Sequence, residues 1–232
     1  EKRRMLTAKE MRGLLTGLDL FADQLREQRR NSRAHGKPHL FDLDTVDYPH
    51  WFVPFCMLAL ATGWRPGDLY ALRWEETDLV FKNQLCKQAE KSKAVAARRG
   101  LDATELVTPL PKSAVKMLKQ WKKQQGDPDT GWVFPSPRTH AKLDDQAHKK
   151  PWATVKALGK LPDELQFYSL RHHAISAMVA ANIPMLTVAK LVGHRDVAMI
   201  QKHYGHLCPD SAASAMDIVA ATIKKSAKQK TA

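Results

Sequence analysis

The chain has 232 residues, and 37 Lys and Arg against 24 Asp and Glu give it a formal net charge of +13. Its 44% hydrophobic and 26% charged residues are typical of a globular domain and exclude a disordered or collagen-like chain. The longest apolar run, Trp51 to Trp64, is shorter than the roughly 18 residues that cross a bilayer, and no apolar signal core follows the basic N-terminus. We therefore expect a cytoplasmic protein without a membrane span.

Two helices separated by a basic loop are predicted first. The pattern Thr7-Ala-Lys-Glu10 is a capping box and predicts a helix that ends near Leu25. The polar stretch from Arg29 to Pro38 contains glycine and proline and is predicted to be a loop. A second helix is predicted to open with Pro49 in its first turn and to continue over Phe52 to Ala61, with Gly63 as its C-terminal cap.

A small antiparallel sheet is predicted in the middle of the chain. Gly67 to Trp74 reads as a short helix, and Leu79–Phe81 with Leu85–Cys86 then read as two strands. Leu106–Thr108 supplies a third strand. Between the second and third strands lies a basic, alanine-rich stretch from Lys91 to Gly100.

The rest of the chain is predicted to be mainly helical, which makes the fold an α+β domain with a minor antiparallel sheet. The predicted helices cover Lys112–Gln125, Trp152–Leu158, Ser169–Ala181, Pro184–Leu191, Val197–His203 and Pro209–Lys224. We divide the chain into a lead-in helix and basic loop (residues 1–45), a core (46–207) and a C-terminal helix with a basic tail (208–232).

The excess of positive charge favours a polyanionic partner through counterion release, and nucleic acid is the leading class. A single lysine stripe such as that on the helix Lys112–Gln125 is typical of a solvated face, but positive charge recurs in several separate elements. Aromatic residues are 7% of the chain, which favours binding in a duplex groove over stacking on single strands.

Three separated segments carry residues suited to phosphate chemistry. Arg65 lies between the end of one helix and the start of the next, where a guanidinium held by backbone can bind a phosphate with two parallel hydrogen bonds. Tyr168 and Arg171, three residues apart at a helix start, project from nearly the same face, and the helix dipole favours an anion there. His194 follows a helix-ending glycine, and Tyr204 ends the next helix.

These three segments together resemble the catalytic domain of the tyrosine recombinases, the phage integrase family. The first box of that family, A-T-G-x-R-x-x-E-L-x-x-L-x-W, is matched by Ala61–Trp74 with Asp68 in the acidic place. The second, H-x-L-R-H, is met by Tyr168–His172, and the third, L-x-G-H followed by K-H-Y-x-H-L, by Leu191–Leu207. The resemblance runs from about Met5 to Leu207 in matching order and spacing.

The resemblance implies DNA strand cleavage and rejoining in the integration or excision of a mobile element or prophage. Arg65 and Arg171 would clamp the non-bridging oxygens of the scissile phosphate, and His194 would add a hydrogen bond. Tyr204 would attack phosphorus and form a covalent 3′-phosphotyrosine, which conserves the bond energy without a cofactor. The family's general acid is a lysine after the second strand, for which Lys91 matches best and Lys93 second. Candidate DNA contacts are Lys93, Arg98, Arg99 and Lys202.

The resemblance also implies a bacterial or phage protein that works on double-stranded DNA in the nucleoid, as a homotetramer with accessory DNA-bending or directionality proteins. The segment after the nucleophile would dock on a neighbouring protomer. We do not expect a membrane as a partner.

One residue departs from the family pattern. Tyr168 stands where the family usually has histidine, so the general base or phosphate contact of the second box would be a phenol here. A neutral phenol can donate or relay a hydrogen bond but is a poor base near neutral pH. For His172 a buried, hydrogen-bonded core role is as compatible with the pattern as a functional one.

Three other functions remain open from the sequence. A non-catalytic DNA-binding module would bind without strand transfer, and a type IB topoisomerase would relax supercoils without sequence choice. A metal site is disfavoured because the histidines of the last two boxes lack acidic or Cys partners at ligand spacing, and the three cysteines form no C-x-x-C pair.

Overall fold

The first helix, α1 (Ala8–Ala34), begins at the predicted capping box and extends well beyond its predicted end. A computed structural model of the chain describes residues 3–90, 98, 105–194, 196–208, 216–217 and 220–221. The amide of Glu10 donates to the Thr7 hydroxyl, and the Glu10 carboxylate accepts from the Thr7 amide. The predicted loop after Leu25 is wrong for its first residues, since Arg29 and Arg33 lie on the helix and donate to the carbonyls of Phe41 and Leu40.

The second predicted helix is confirmed as α2 (Phe52–Thr62), although it begins at Phe52 and not at Pro49, and it forms the centre of the main core. It is apolar on most sides and packs its rings against other elements. Phe55 is fully buried, with its ring centroid 4.8 Å from that of Tyr70, 5.2 Å from Phe134 and 5.5 Å from Phe167. Gly63 ends the helix in the left-handed conformation, as its position predicted, and the short helix α3 (Pro66–Tyr70) follows.

The described residues form a three-stranded antiparallel sheet in the order β1 (Thr77–Asp78), β2 (Gln84–Gln88) and β3 (Glu105–Pro109). The strand predicted over Leu79–Phe81 is wrong. The Asp78 carboxylate accepts the amides of Val80 and Phe81, which turns the chain and leaves both side chains exposed.

The later helices confirm the predicted pattern to within a few residues at each end. They are α4 (Lys112–Gln124), α5 (Lys149–Leu158), α6 (Ser169–Ala180), α7 (Met185–Val192) and α8 (Val197–Tyr204). The predicted helix Pro209–Lys224 lies almost wholly outside the described residues. Within the ranges that are described, no helix is long and apolar enough to cross a membrane.

Close contact between α1 and α5 packs the lead-in helix against the main core. A Cβ atom at Gly17 would lie 2.5 Å from the carbonyl oxygen of Val155, so only glycine allows the two backbones to approach this closely. A second, smaller cluster of buried residues joins α6, α7 and α8 and includes Tyr204. Helix α6 contributes to both clusters, because Leu170 belongs to the larger one and Ile175 to the smaller.

Candidate active site

Arg65 is positioned by the turn between α2 and α3. It is the N-cap residue of α3, and its guanidinium Nη1 donates to the carbonyl of Gly193, 3.1 Å away. The preceding residue, Trp64, is 1% exposed and donates its indole N–H to the Thr108 hydroxyl on β3 at 2.9 Å. That hydroxyl donates in turn to the carbonyl of Leu191 at 3.0 Å. The first and third sequence boxes are therefore held together through β3.

Arg171 is buried beside Arg65 in the first turn of α6. It is 2% exposed, and its Nη1 donates to the Gly63 carbonyl at 2.6 Å. Its Nη2 is also buried and has no hydrogen-bond partner in the described part of the chain. Burial and the positive charge of Arg65 lower the pKa of Arg171 to about 10. A buried donor beside a second guanidinium is stabilised by an anion placed between them.

The third box turns sharply at Gly193. This residue ends α7 with a φ of 67°, and a Cβ atom on it would lie 2.5 Å from Cδ2 of Leu106 on β3. The next residue, His194, is partly exposed, and its amide donates to the carbonyl of Ala189 at 2.8 Å. Since the Gly193 carbonyl accepts from Arg65, the turn fixes His194 next to the arginine.

Tyr204 is the last residue of α8 and is 2% exposed. Its hydroxyl oxygen lies 2.5 Å from Nδ1 of His172. Burial raises the pKa of Tyr204 to about 12, against the lowering effect of the nearby charges on Arg3 and Arg171. The phenol is therefore protonated at neutral pH and must lose its proton to act as a nucleophile.

Tyr168 lies just before α6 and is 39% exposed, in contrast to its neighbours in the site. Its ring meets the edge of the His172 ring, with 5.1 Å between centroids and 73° between planes. Tyr168 is thus exposed, while the buried His172 contacts both Tyr168 and Tyr204.

Other predicted residues have different positions. Lys91, Lys93 and Arg99 lie outside the described residues, and Arg98 and Lys202 are exposed, Lys202 on α8. The structure brings Arg65, Arg171 and the turn before His194 together, with Tyr204 close enough for its charge state to affect Arg171. No three His, Cys, Asp or Glu side chains cluster as metal ligands would among the residues that are described.

Sequence reasoning missed a buried polar network beside the site. Lys87 on β2 is 3% exposed and donates its ammonium to the Ala71 carbonyl at 2.8 Å and to the Glu90 carboxylate at 3.2 Å. The buried Asp68 carboxylate accepts the Glu90 amide at 2.7 Å. The acidic residue of the first box therefore fixes the end of β2. The alternation of the strand, with Lys87 on the same face as Leu85, was the available signal.

Comparison with known proteins shows the family of the chain. The model of the phage integrase family matches residues 44–210. The chain belongs to the phage integrase family. A tyrosine recombinase XerC-like protein of Caldanaerobacter subterraneus subsp. tengcongensis is 22% identical over 185 residues, 69% of this chain and 47% of that protein. The integrase of Staphylococcus phage L54a is 25% identical over 162 residues, 63% of this chain and 45% of that protein. The family member described here thus spans a little under half the length of each relative.

Solved structures show the same fold. The catalytic domain of bacteriophage HP1 integrase has a TM-score of 0.56 and 17% identity, and the match covers 94% of this chain and 95% of that domain. The Tn1549 transposon integrase in complex with circular intermediate DNA has a TM-score of 0.61 and 14% identity, over 94% of this chain and 68% of that one. The fold expectation, a mainly helical recombinase catalytic domain with a small antiparallel sheet, is confirmed.

Proposed function

We propose that this phage integrase family domain cleaves and rejoins double-stranded DNA through a covalent 3′-phosphotyrosine on Tyr204. The observation that carries the proposal is the buried Nη2 of Arg171, which has no partner among the described residues and lies beside the backbone-held Arg65, with the Tyr204 hydroxyl in the same site. Two guanidinium groups fixed in this way suit a single phosphate, whose non-bridging oxygens accept charge-assisted hydrogen bonds.

Catalysis in this site would rest on electrostatic stabilisation. Arg65 and Arg171 would bind the non-bridging oxygens of the phosphate as they gain negative charge in the pentacoordinate transition state. His194 would donate a further hydrogen bond to the same phosphate. Because both arginines are held by backbone carbonyls, little reorganisation is needed when the phosphate reacts. Tyr204 attacks phosphorus, the 5′ oxygen leaves, and Lys91 or Lys93 protonates it. The phosphotyrosyl bond stores the energy for rejoining, so no nucleotide cofactor enters the scheme.

The substrate and assembly follow from the family and the charge. A net charge of +13 supports duplex DNA as partner, with Arg98 and Lys202 among the exposed contacts. One of the named relatives is a phage integrase, which supports integration or excision of a mobile element. The proposed assembly is a homotetramer on two DNA duplexes. In it, residues 208–232 dock on a neighbouring protomer, and accessory DNA-bending proteins take part.

Covalent trapping tests the proposal. The protein is incubated with nicked duplex fragments from its own genomic neighbourhood, quenched in detergent, and digested to map any nucleotide-modified peptide. We expect modification at Tyr204, and none in Tyr204→Phe, because that variant lacks the nucleophilic oxygen but keeps the arginines that bind phosphate. Tyr48→Phe is the matched control, since the Tyr48 hydroxyl donates to Gln120, outside the site.

Two results would contradict the proposal. Binding of the same fragments without any adduct in the wild type would favour a non-catalytic module. An adduct of wild-type yield in Tyr204→Phe would show a different nucleophile. Relaxation of supercoiled plasmids of unrelated sequence would instead indicate a topoisomerase with the same chemistry.

A further inference from the structure

We propose that His172, not the residue at position 168, takes the proton from the Tyr204 hydroxyl when that oxygen attacks phosphorus. This inference rests on the function proposed above and assigns its general base. The resemblance to the family puts a general base or a phosphate contact at the first position of the second box, which is Tyr168 here. The geometry of this chain points four residues further along α6.

The contact between the two side chains is direct. The His172 Nδ1 lies 2.5 Å from the Tyr204 hydroxyl oxygen, and both residues are buried, at 8% and 2% exposed. A general base must lie within hydrogen-bond reach of the proton that it removes, and His172 meets this requirement without any movement. Tyr168 instead contacts the His172 ring through its own ring and is exposed to solvent.

The chemistry of the two groups agrees with their positions. An imidazole changes its charge near neutral pH and is the commonest general base in enzymes, whereas a phenol is a poor base there. For Nδ1 to accept, the ring proton must be on Nε2. Because burial raises the energy of a bare phenolate, Tyr204 needs an acceptor in contact with its oxygen when the bond to phosphorus forms.

The step balances in both directions. In cleavage the Tyr204 O–H bond breaks and its proton moves to Nδ1 of His172. The bond from the phenol oxygen to phosphorus forms, the bond from phosphorus to the 5′ oxygen breaks, and the general acid protonates that oxygen. In rejoining, the 5′ hydroxyl attacks phosphorus and gives its proton back to the lysine. The phenol oxygen leaves and recovers its proton from His172.

His172 also borders an open cavity of about 420 Å³, and the described lining of that cavity does not include Arg65 or Arg171. Its wall includes Ser169, Gln166 and Glu164, together with Glu10, whose carboxylate is paired with Arg4. The imidazole of His172 therefore has the open cavity as a neighbour as well as the Tyr204 hydroxyl. The base can exchange protons with solvent through this cavity while DNA covers the arginines.

The test combines His172→Asn with a more acidic phenol at position 204. The Asn carboxamide oxygen can still accept a hydrogen bond near the place of Nδ1 but cannot take the proton. We expect the rate of adduct formation to fall by about 10²-fold or more, with retention of nicked DNA unchanged. The residue 3,5-difluorotyrosine at position 204 ionises more readily than tyrosine. It should therefore recover much of the lost rate in His172→Asn and should change the wild-type rate far less.

Two matched variants complete the design. His173→Asn changes the neighbouring histidine, which accepts the Leu6 amide at 3.1 Å and does not contact Tyr204, and should cleave like the wild type. In Tyr168→Phe, difluorotyrosine at position 204 should raise the rate of adduct formation no more than it does in the wild type. If His172→Asn lowers the unfolding midpoint, His172→Gly with added imidazole replaces it, and imidazole should restore cleavage.

The outcomes separate the two proposals. A wild-type rate in His172→Asn, or a fluorotyrosine gain in Tyr168→Phe and none in His172→Asn, would overturn the assignment of His172 while leaving Tyr204 as nucleophile. A slow His172→Asn that neither fluorotyrosine nor imidazole improves would also overturn it and leave a packing role. An adduct in Tyr204→Phe would overturn the proposed function itself.

Discussion

The guanidinium of Arg171 is buried, and burial disfavours a charged group. One nitrogen of the guanidinium is bound to the Gly63 carbonyl, another is buried with no hydrogen-bond partner within the described ranges, and Arg65 adds like-charge repulsion. Lysine would keep the charge but not the planar fork that binds a carbonyl and a phosphate at once. The residue type, and not only the charge, is therefore required.

We expect Arg171→Lys to slow adduct formation by about 100-fold or more, because one hydrogen bond that strengthens in the transition state is lost. Retention of nicked DNA should change much less. The measurement is single-turnover cleavage followed by detergent gels. Arg73→Lys is the matched control, since Arg73 pairs with Glu75 on the surface, where such pairs contribute little. Equal rates for the two variants would contradict the assignment of Arg171.

Single residues also show what the sequence can and cannot predict. Arg65, Arg171, His194 and Tyr204 could be proposed as site residues because each stands in a motif with fixed spacing. The role of His172 was left open because two adjacent histidines read alike in the sequence, and only the packing of α6 on α8 distinguishes the one that meets Tyr204 from the one that meets Leu6. The hydrogen bonds of the Thr108 hydroxyl could not be predicted from the sequence, because its partners are 44 and 83 residues away along the chain.

At the scale of elements, capping and periodicity predicted most helices, and tertiary contacts explain the errors. Helix α1 continues past Leu25 because its arginines find carbonyl partners in the following segment, which a local pattern does not contain. The strand at Leu79–Phe81 was predicted from β-forming residues, but the Asp78 carboxylate bonds the next amides and stops the ladder.

The contact of α1 with α5 makes a testable prediction. Alanine has the better helix propensity, yet Gly17→Ala places a methyl group against the Val155 carbonyl and must separate the two helices. We expect a loss of about 1–3 kcal/mol in the free energy of unfolding, measured by urea denaturation. Gly67→Ala is the matched control, since a Cβ there meets no atom of the described residues within 4 Å, and it should be neutral or slightly stabilising. A neutral Gly17→Ala would show that the helices are not in close contact.

At the scale of the whole molecule, stability at low pH should depend on the N-terminal cap. The Arg4 guanidinium and the Thr7 backbone and side-chain hydrogen bonds lower the pKa of Glu10 from 4.5 to about 2, against the opposing effect of burial. A carboxyl with a lowered folded-state pKa adds stability that is present above the unfolded value and is lost as the pH falls. The loss should occur between about pH 4.5 and pH 2.

Glu10→Gln should flatten this pH dependence, because glutamine keeps the capping hydrogen bond and cannot titrate. The measurement is the urea midpoint at several pH values across that window. Glu27→Gln, an exposed position on the same helix, should keep the wild-type slope. A wild-type slope in Glu10→Gln would show that other carboxyl groups carry the acid sensitivity.

The burial of Tyr204 has a consequence for the fidelity of the proposed reaction. A phosphotyrosyl bond formed at a residue that is 2% exposed and packed among α6, α7 and α8 meets few water molecules. Hydrolysis of that bond would leave a permanent break in the DNA, and excluding water suppresses such side reactions. The packing that makes the phenol hard to ionise would therefore also keep water from attacking the phosphotyrosyl bond. The hydroxyl of a DNA end is delivered along the duplex, so it would be the group that attacks phosphorus and releases the tyrosine.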